Sequence, residues 1–142
     1  WHVTPSLYYL VEEIHGRWQY PELRQRAFDL ANRDNPDAIL VEDKASGQSL
    51  IQELQTSSHH PVIPIKPEGD KETRARTSAT SITAGKVLIP EQAPWVADFI
   101  GEVLAFPKGT HDDRVDAMSQ FLRYMRDTDD DGFDAMFDRL YS

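Results

Sequence analysis

Apolar residues along the chain alternate between short continuous blocks and longer stripes, and this alternation separates strands from helices. Residues 6 to 15, Ser-Leu-Tyr-Tyr-Leu-Val-Glu-Glu-Ile-His, are rich in β-formers, and Gly16 follows as a turn residue that lets the chain return through Arg17-Trp18-Gln19. The pattern predicts a strand or hairpin. Pro21 suits a helix start, and Leu23, Ala27, Leu30 and Ala31 repeat at helical spacing before Asn32 to Pro36 breaks it, which predicts a helix over 21–33. Ala38-Ile39-Leu40-Val41, bounded by Asp37 and Glu42, reads as a strand covered on both faces. Ser46-Gly47 turns the chain into a second helix with Leu50, Ile51 and Leu54 on its stripe, which ends in the polar run Thr56 to His60. Val62-Ile63-Pro64-Ile65 is the next strand, placed by its proline at an edge or a strand end.

From Pro67 to Ala84 the chain is polar and charged, and Gly85-Lys86-Val87-Leu88-Ile89-Pro90 then supplies a short strand. Trp95, Val96, Phe99, Ile100, Val103 and Leu104 predict an amphipathic helix over 94–106. Thr110 is expected to cap a last helix running to about Arg126, with Val115, Met118, Leu122 and Met125 on its buried face. Strands alternating with helices predict an α/β fold, a mixed sheet flanked by helices. The expected division is a folded domain over 1–126 and an acidic tail over 127–142, in which Phe133, Met136, Phe137 and Leu140 are spaced for a small amphipathic helix.

Composition narrows the possibilities. The 142 residues, 39% of them hydrophobic, suit one core, and the absence of cysteine excludes disulfides, thiolate zinc sites and cysteine nucleophiles, in keeping with a reducing compartment such as the cytoplasm. No apolar run approaches the roughly 20 residues that span a bilayer, so no membrane partner is expected. A formal net charge of −9 argues against general coating of DNA, but the acid crowds the C-terminal end. Lys66, Lys71, Arg74, Arg76 and Lys86 outweigh Glu68, Asp70 and Glu72 around the polar stretch. That stretch reads as a projecting loop or helix able to touch phosphates, or as an ordinary solvated surface.

Two acidic clusters carry the candidate chemistry. Glu42 and Asp43 close a strand, at the end where ligands collect in open α/β sheets, and Asp112, Asp113 and Asp116 open a helix. Carboxylates of this kind suit Mg²⁺ or Mn²⁺, and two such ions held close together can activate water and stabilise the leaving oxygen of a phosphodiester. On residue type and position alone, Glu42 and Asp43 read more readily as solvated strand-end residues paired locally with Lys44. Asp112 and Asp113 are explained by the positive end of the helix dipole, whereas Asp116, beyond the first turn, gains less from it. The three aspartates project within a roughly 100° arc of a helix. His59, His60 and His111 lack the spacing of a helical zinc site, and no Gly-x-x-x-x-Gly-Lys-Ser/Thr phosphate loop is present.

Four segments in order resemble the C-terminal nuclease domain of the large terminase subunit of tailed bacteriophages. They are Ile39-Leu40-Val41-Glu42-Asp43-Lys44-Ala45-Ser46-Gly47, Gly69-Asp70-Lys71-Glu72-Thr73-Arg74-Ala75, Gly85-Lys86-Val87-Leu88-Ile89-Pro90 and Phe106-Pro107-Lys108-Gly109-Thr110-His111-Asp112-Asp113-Arg114-Val115-Asp116-Ala117. The resemblance covers most of residues 6–126 and implies a ribonuclease H-like fold. It further implies a two-metal endonuclease that uses Mg²⁺ or Mn²⁺ to cut concatemeric double-stranded viral DNA during packaging. It makes Glu42 the second acidic ligand and draws the last from the Asp112 to Asp116 cluster, with Asp113 and Asp116 favoured. Lys66 is a basic candidate of the same stretch, and the match adds Lys71 and Arg74 as DNA-backbone contacts.

The portal and the small terminase subunit are the partners the resemblance implies, in the cytoplasm of a bacterial host carrying the phage or prophage. Similar domains bear their first metal-binding aspartate upstream of the region matching Leu7 to Ile14. The chain starts at Trp1 and within six residues enters what reads as a strand, too late to contain that aspartate, so an N-terminally truncated domain with weak or no cleavage is expected. Glu12 and Glu13 read as ordinary strand residues rather than as that ligand. Two other readings stand beside the enzyme: a non-catalytic DNA- or portal-binding module of the packaging motor, and another ribonuclease H-like nuclease or transposase.

Overall fold

The computed structural model describes residues 1–67 and 69–130. Its elements are β1 (His2–Val3), β2 (Tyr8–Tyr9), α1 (Tyr20–Asp34), β3 (Ile39–Glu42), α2 (Ser46–Ser57), β4 (Val62–Ile65), α3 (Lys71–Thr83), β5 (Val87–Leu88), α4 (Val96–Ala105) and α5 (Asp113–Asp130). The described residues divide into two compact units, one built from residues 1–15 and 69–126, the other from 16–67 and 127–130.

In the first unit β1 runs antiparallel to β2, and β2 runs parallel to β5 with Tyr8 opposite Val87. Thr4 makes the tight turn between β1 and β2, its hydroxyl oxygen accepting from the Leu7 backbone N–H at 3.1 Å. The strand expected over 6–15 is therefore reduced to Tyr8–Tyr9, and its antiparallel partner is His2–Val3 rather than 17–19. Beyond Leu10 the alternation fails, because Val11 is 62% exposed and the chain leaves the sheet. The core is formed by Tyr8, Leu10, Val96, Phe99, Val115, Met118, Phe121, Leu122 and Met125. Trp1 stacks on Phe121 with centroids 4.3 Å apart, and Tyr8 meets the same ring edge-on at 5.7 Å, an arrangement suited to the ring quadrupoles.

The polar stretch after Pro67 forms α3, a helix held by its ends rather than by an apolar stripe. Asp70 caps it, its carboxylate accepting from the Thr73 backbone N–H at 2.8 Å and from the Thr73 hydroxyl at 3.1 Å. At the far end Gly85 adopts φ +73°. The Lys86 N–H then reaches the Ser81 carbonyl and the Gly85 N–H reaches that of Ile82, a Schellman closure that leads directly into β5.

In the second unit β3 and β4 pair in parallel, Ile39 with Val62 through Glu42 with Ile65, and α2 makes the crossover. Leu50, Ile51 and the fully buried Leu54 line the packed face of α2. Helix α1 starts with Pro21 in its first turn and ends at Asn35, which takes the left-handed conformation at φ 45° and donates its N–H to the Ala31 carbonyl. Glu53 ties α2 to α1 by accepting from the Tyr20 hydroxyl at 2.9 Å and from Arg24, and the Arg24 hydrogen bond holds the Glu53 carboxyl below its ordinary range.

The fold is mixed α/β, as the pattern of elements predicts. Among the described residues, however, the strands form one three-stranded and one two-stranded sheet rather than a single mixed sheet. Local pattern specifies that a segment is extended but not which distant segment pairs with it, and two-residue strands offer little register to define a wider sheet. The expected amphipathic helix beyond Asp131 lies outside the described residues. No described helix is long and apolar enough to cross a membrane.

Candidate metal and nucleic-acid site

Glu42 is the last residue of β3, and its backbone is fixed with unusual closeness. The Asp43 N–H donates to the Ile65 carbonyl at 2.8 Å, which extends the β3–β4 ladder one residue past the strand. The chain then turns back on itself: the Lys44 N–H donates to the Glu42 carbonyl, the Gly47 N–H donates to the Lys44 carbonyl, and Ala45 takes φ 47°. A methyl group at Gly47 would overlap the Glu42 carbonyl oxygen. Glycine is thus required where α2 starts against the end of the strand, a role for Gly47 beyond the turn expected of it. Glu42 is half-buried, and Lys66 is exposed one residue after β4.

In the first unit, α5 begins at Asp113, later than a cap at Thr110 would place it. Asp112 occupies the flanking position, and its carbonyl accepts from the Asp116 N–H at 2.8 Å. The three aspartates then diverge. Asp112 and Asp116 both face α3: the Lys71 ammonium hydrogen-bonds Asp112 and stands 3.9 Å from Asp116, while an Arg74 guanidinium nitrogen lies 3.6 Å from the other Asp116 oxygen. Asp113 points elsewhere, largely exposed and 3.6 Å from His15 Nε2. The hydrogen bond that Lys71 donates to Asp112 raises the Lys71 pKa above its ordinary value. Lys71 and Arg74, expected as DNA contacts, are thus placed against the acids of α5.

A buried clamp sets the first turn of α5. Glu102 of α4, with its side chain only 4% exposed, accepts from the Val115 backbone N–H at 3.1 Å and lies 3.7 Å from the Arg114 guanidinium. Arg114 in turn donates to Glu13 at 2.8 Å. A carboxylate from a neighbouring helix thereby satisfies an N–H that α5 cannot satisfy itself, at the end where the dipole favours negative charge. The sequence reading missed both acids. Glu13 is not in a strand, and Glu102 lies on the packed side of α4 with Val96 and Phe99, leaving Leu104 79% exposed. The available signal was a lone charge at i+3 from Phe99 within an apolar stripe.

An open cavity of about 400 Å³ lies beside the acid pair, lined by Asp70, Lys71, Glu72, Phe106, Pro107 and Asp112. Further along the chain, Ser78 packs α3 on α5 by donating to the Ser119 carbonyl at 3.3 Å.

The chain matches the family of the terminase RNaseH-like domain over residues 5–125. It belongs to that family. Comparison with curated proteins and with solved structures gives no match. As a terminase domain it is a nuclease-type packaging module whose partners, in general terms, are DNA and the packaging motor, and domains of this kind usually use divalent metals. Among the described residues of the terminase domain no group of three or more His, Asp or Glu side chains is placed to hold a metal ion. Asp112 and Asp116 both lie against the Lys71 ammonium, and their oxygen donors are of the kind Mg²⁺ takes, commonly one or two carboxylates with water completing the shell.

Proposed function

We propose that this terminase domain is a metal-dependent endonuclease acting on double-stranded DNA, with Asp112 and Asp116 at the start of α5 as metal-binding carboxylates and Glu42, the last residue of β3, as the further acid that family resemblance implies. The observation that carries this reading is the Asp112–Asp116 pair sharing one cationic group, an oxygen-only site of the charge and hardness that Mg²⁺ and Mn²⁺ select. Asp113, the alternative third acid, faces His15 instead. When bound, the metal supplies Lewis acidity that activates water and neutralises charge on the phosphate. The chain's own residues hold the acids in place. Glu102 and Arg114 fix the turn that carries Asp112 and Asp116, and Gly47 fixes the backbone of Glu42. Concatemeric viral DNA as substrate, the portal and small terminase subunit as partners, and the host cytoplasm as the place of action rest on family membership.

A second reading, a non-catalytic module that binds DNA or the portal, is favoured by Lys71 and Arg74, whose charges already face Asp112 and Asp116. Calorimetric titration with Mn²⁺, paired with a plasmid-cleavage assay, separates the two. The enzyme reading expects Mn²⁺ binding that weakens at least tenfold in Asp116→Asn and in Glu42→Ala, and any cleavage by the parent chain is lost with it. Binding undiminished in both variants would remove the proposed ligands.

A further inference from the structure

Lys71 and Arg74 stand one turn apart on α3 and face the same acids, but their circumstances differ. The Arg74 side chain is only 13% exposed, and its backbone carbonyl accepts from the Ser78 hydroxyl that also reaches Ser119, so it is held within the α3–α5 contact. Lys71 is 52% exposed, sits in the first turn of α3 and lines the open cavity beside Asp112. Its ammonium is a compact charge on a flexible four-carbon stem, able to swing into solvent without disturbing the helix. Two neighbouring carboxylates repel each other unless a cation lies near both, and Lys71 supplies that cation. A divalent ion seeking the same oxygens must replace it, because a second positive charge at that distance from the ammonium is repelled.

We propose that Lys71 is a built-in counter-ion of the Asp112–Asp116 pair, which a divalent metal displaces on binding, so that Lys71 lowers the affinity of the site for metal. The proposal rests on the reading in which these two aspartates hold the metal. It assigns Arg74 the opposite part, a fixed charge that stays on Asp116 whether or not metal is present.

The test is Mn²⁺ titration of the full chain, followed by calorimetry and by the loss of the free-ion electron paramagnetic resonance signal, at constant ionic strength. Lys71→Gln is expected to bind Mn²⁺ at least threefold more tightly than the parent. Lys71→Arg, which keeps a cation, is expected to stay at or below the parent affinity. Lys86→Gln, which removes a charge elsewhere in the same unit, is expected to leave the affinity unchanged. Equal or weaker binding by Lys71→Gln would overturn the counter-ion role while leaving the metal site standing. Equal tightening by Lys86→Gln would also overturn it, by reducing the effect to net charge. No Mn²⁺ binding by parent or variants would overturn this proposal and the metal reading together.

Discussion

Single residues fix the direction of the two acidic segments, and each does so by a contact with the backbone. Gly47 is the sharper case, because the atom its missing side chain would meet is the Glu42 carbonyl, part of the strand and unable to rotate away. Gly47→Ala is therefore expected to cost about 1–3 kcal/mol, the range for overpacking a tight contact. Urea denaturation measures it, and stability equal to the parent would mean that strand and helix part without cost. Glu102 is the equivalent on the other side, a buried acid kept by one backbone N–H and one guanidinium. Neither residue belongs to the proposed chemistry, yet both determine where the carboxylates that do belong can point.

At the scale of elements, α3 stands out because its sequence gives no apolar stripe to recommend it. Its existence depends on the Asp70 cap, the Gly85 closure and the packing of Ser78 on α5. The hydrogen bonds from Thr73 hold the Asp70 carboxyl below its ordinary range. A depressed carboxyl stabilises the fold above its unfolded pKa, about 3.9 for aspartate, and that contribution disappears as pH falls through the folded value. Asp70→Ala is thus expected to lower the thermal midpoint at pH 7, with the difference from the parent closing below about pH 4 as the carboxyl protonates. A difference that persists unchanged in strong acid would point to a cause other than the cap.

Elements with a strong period were legible in the sequence: α1, α2, α4, β3 and β4 all lie within a few residues of their expected spans. What failed were features set by distant partners. The strand at Tyr8–Tyr9 is cut short because only its first residues find β1 and β5. The start of α5 moves past Thr110, and a carboxylate of α4 satisfies the Val115 N–H in its first turn, a partner the capping-box pattern could not reveal. Of the candidate site, motif order proposes the acids and places Lys71 and Arg74 in one stretch, and the ion pairs of those two cations with Asp112 and Asp116 could not be read from it. That Asp112, rather than Asp113, shares a cation with Asp116 was not, because helical projection places both on one side and only the α3 contact separates them.

For the molecule as a whole, the two units differ in how far the chain must travel to build each sheet, and this bears on the order in which they assemble. Pairing β3 with β4 closes a loop of roughly twenty residues, whereas pairing β2 with β5 closes one of roughly eighty, an entropic difference of about 1 kcal/mol. The nearer pairing also brings its own crossover helix, so it is expected to form first, ahead of a unit whose two pieces of chain lie on either side of it in sequence. Pulse-labelled hydrogen exchange during refolding is expected to protect the amides of Ile39 and Asp43, which donate to the Pro61 and Ile65 carbonyls, before those of Tyr8 and Leu10, and the reverse order would count against it. On this schedule the strand that ends in Glu42 matures early, and Asp112 and Asp116 acquire their setting only when residues 1–15 have met residues 69–126.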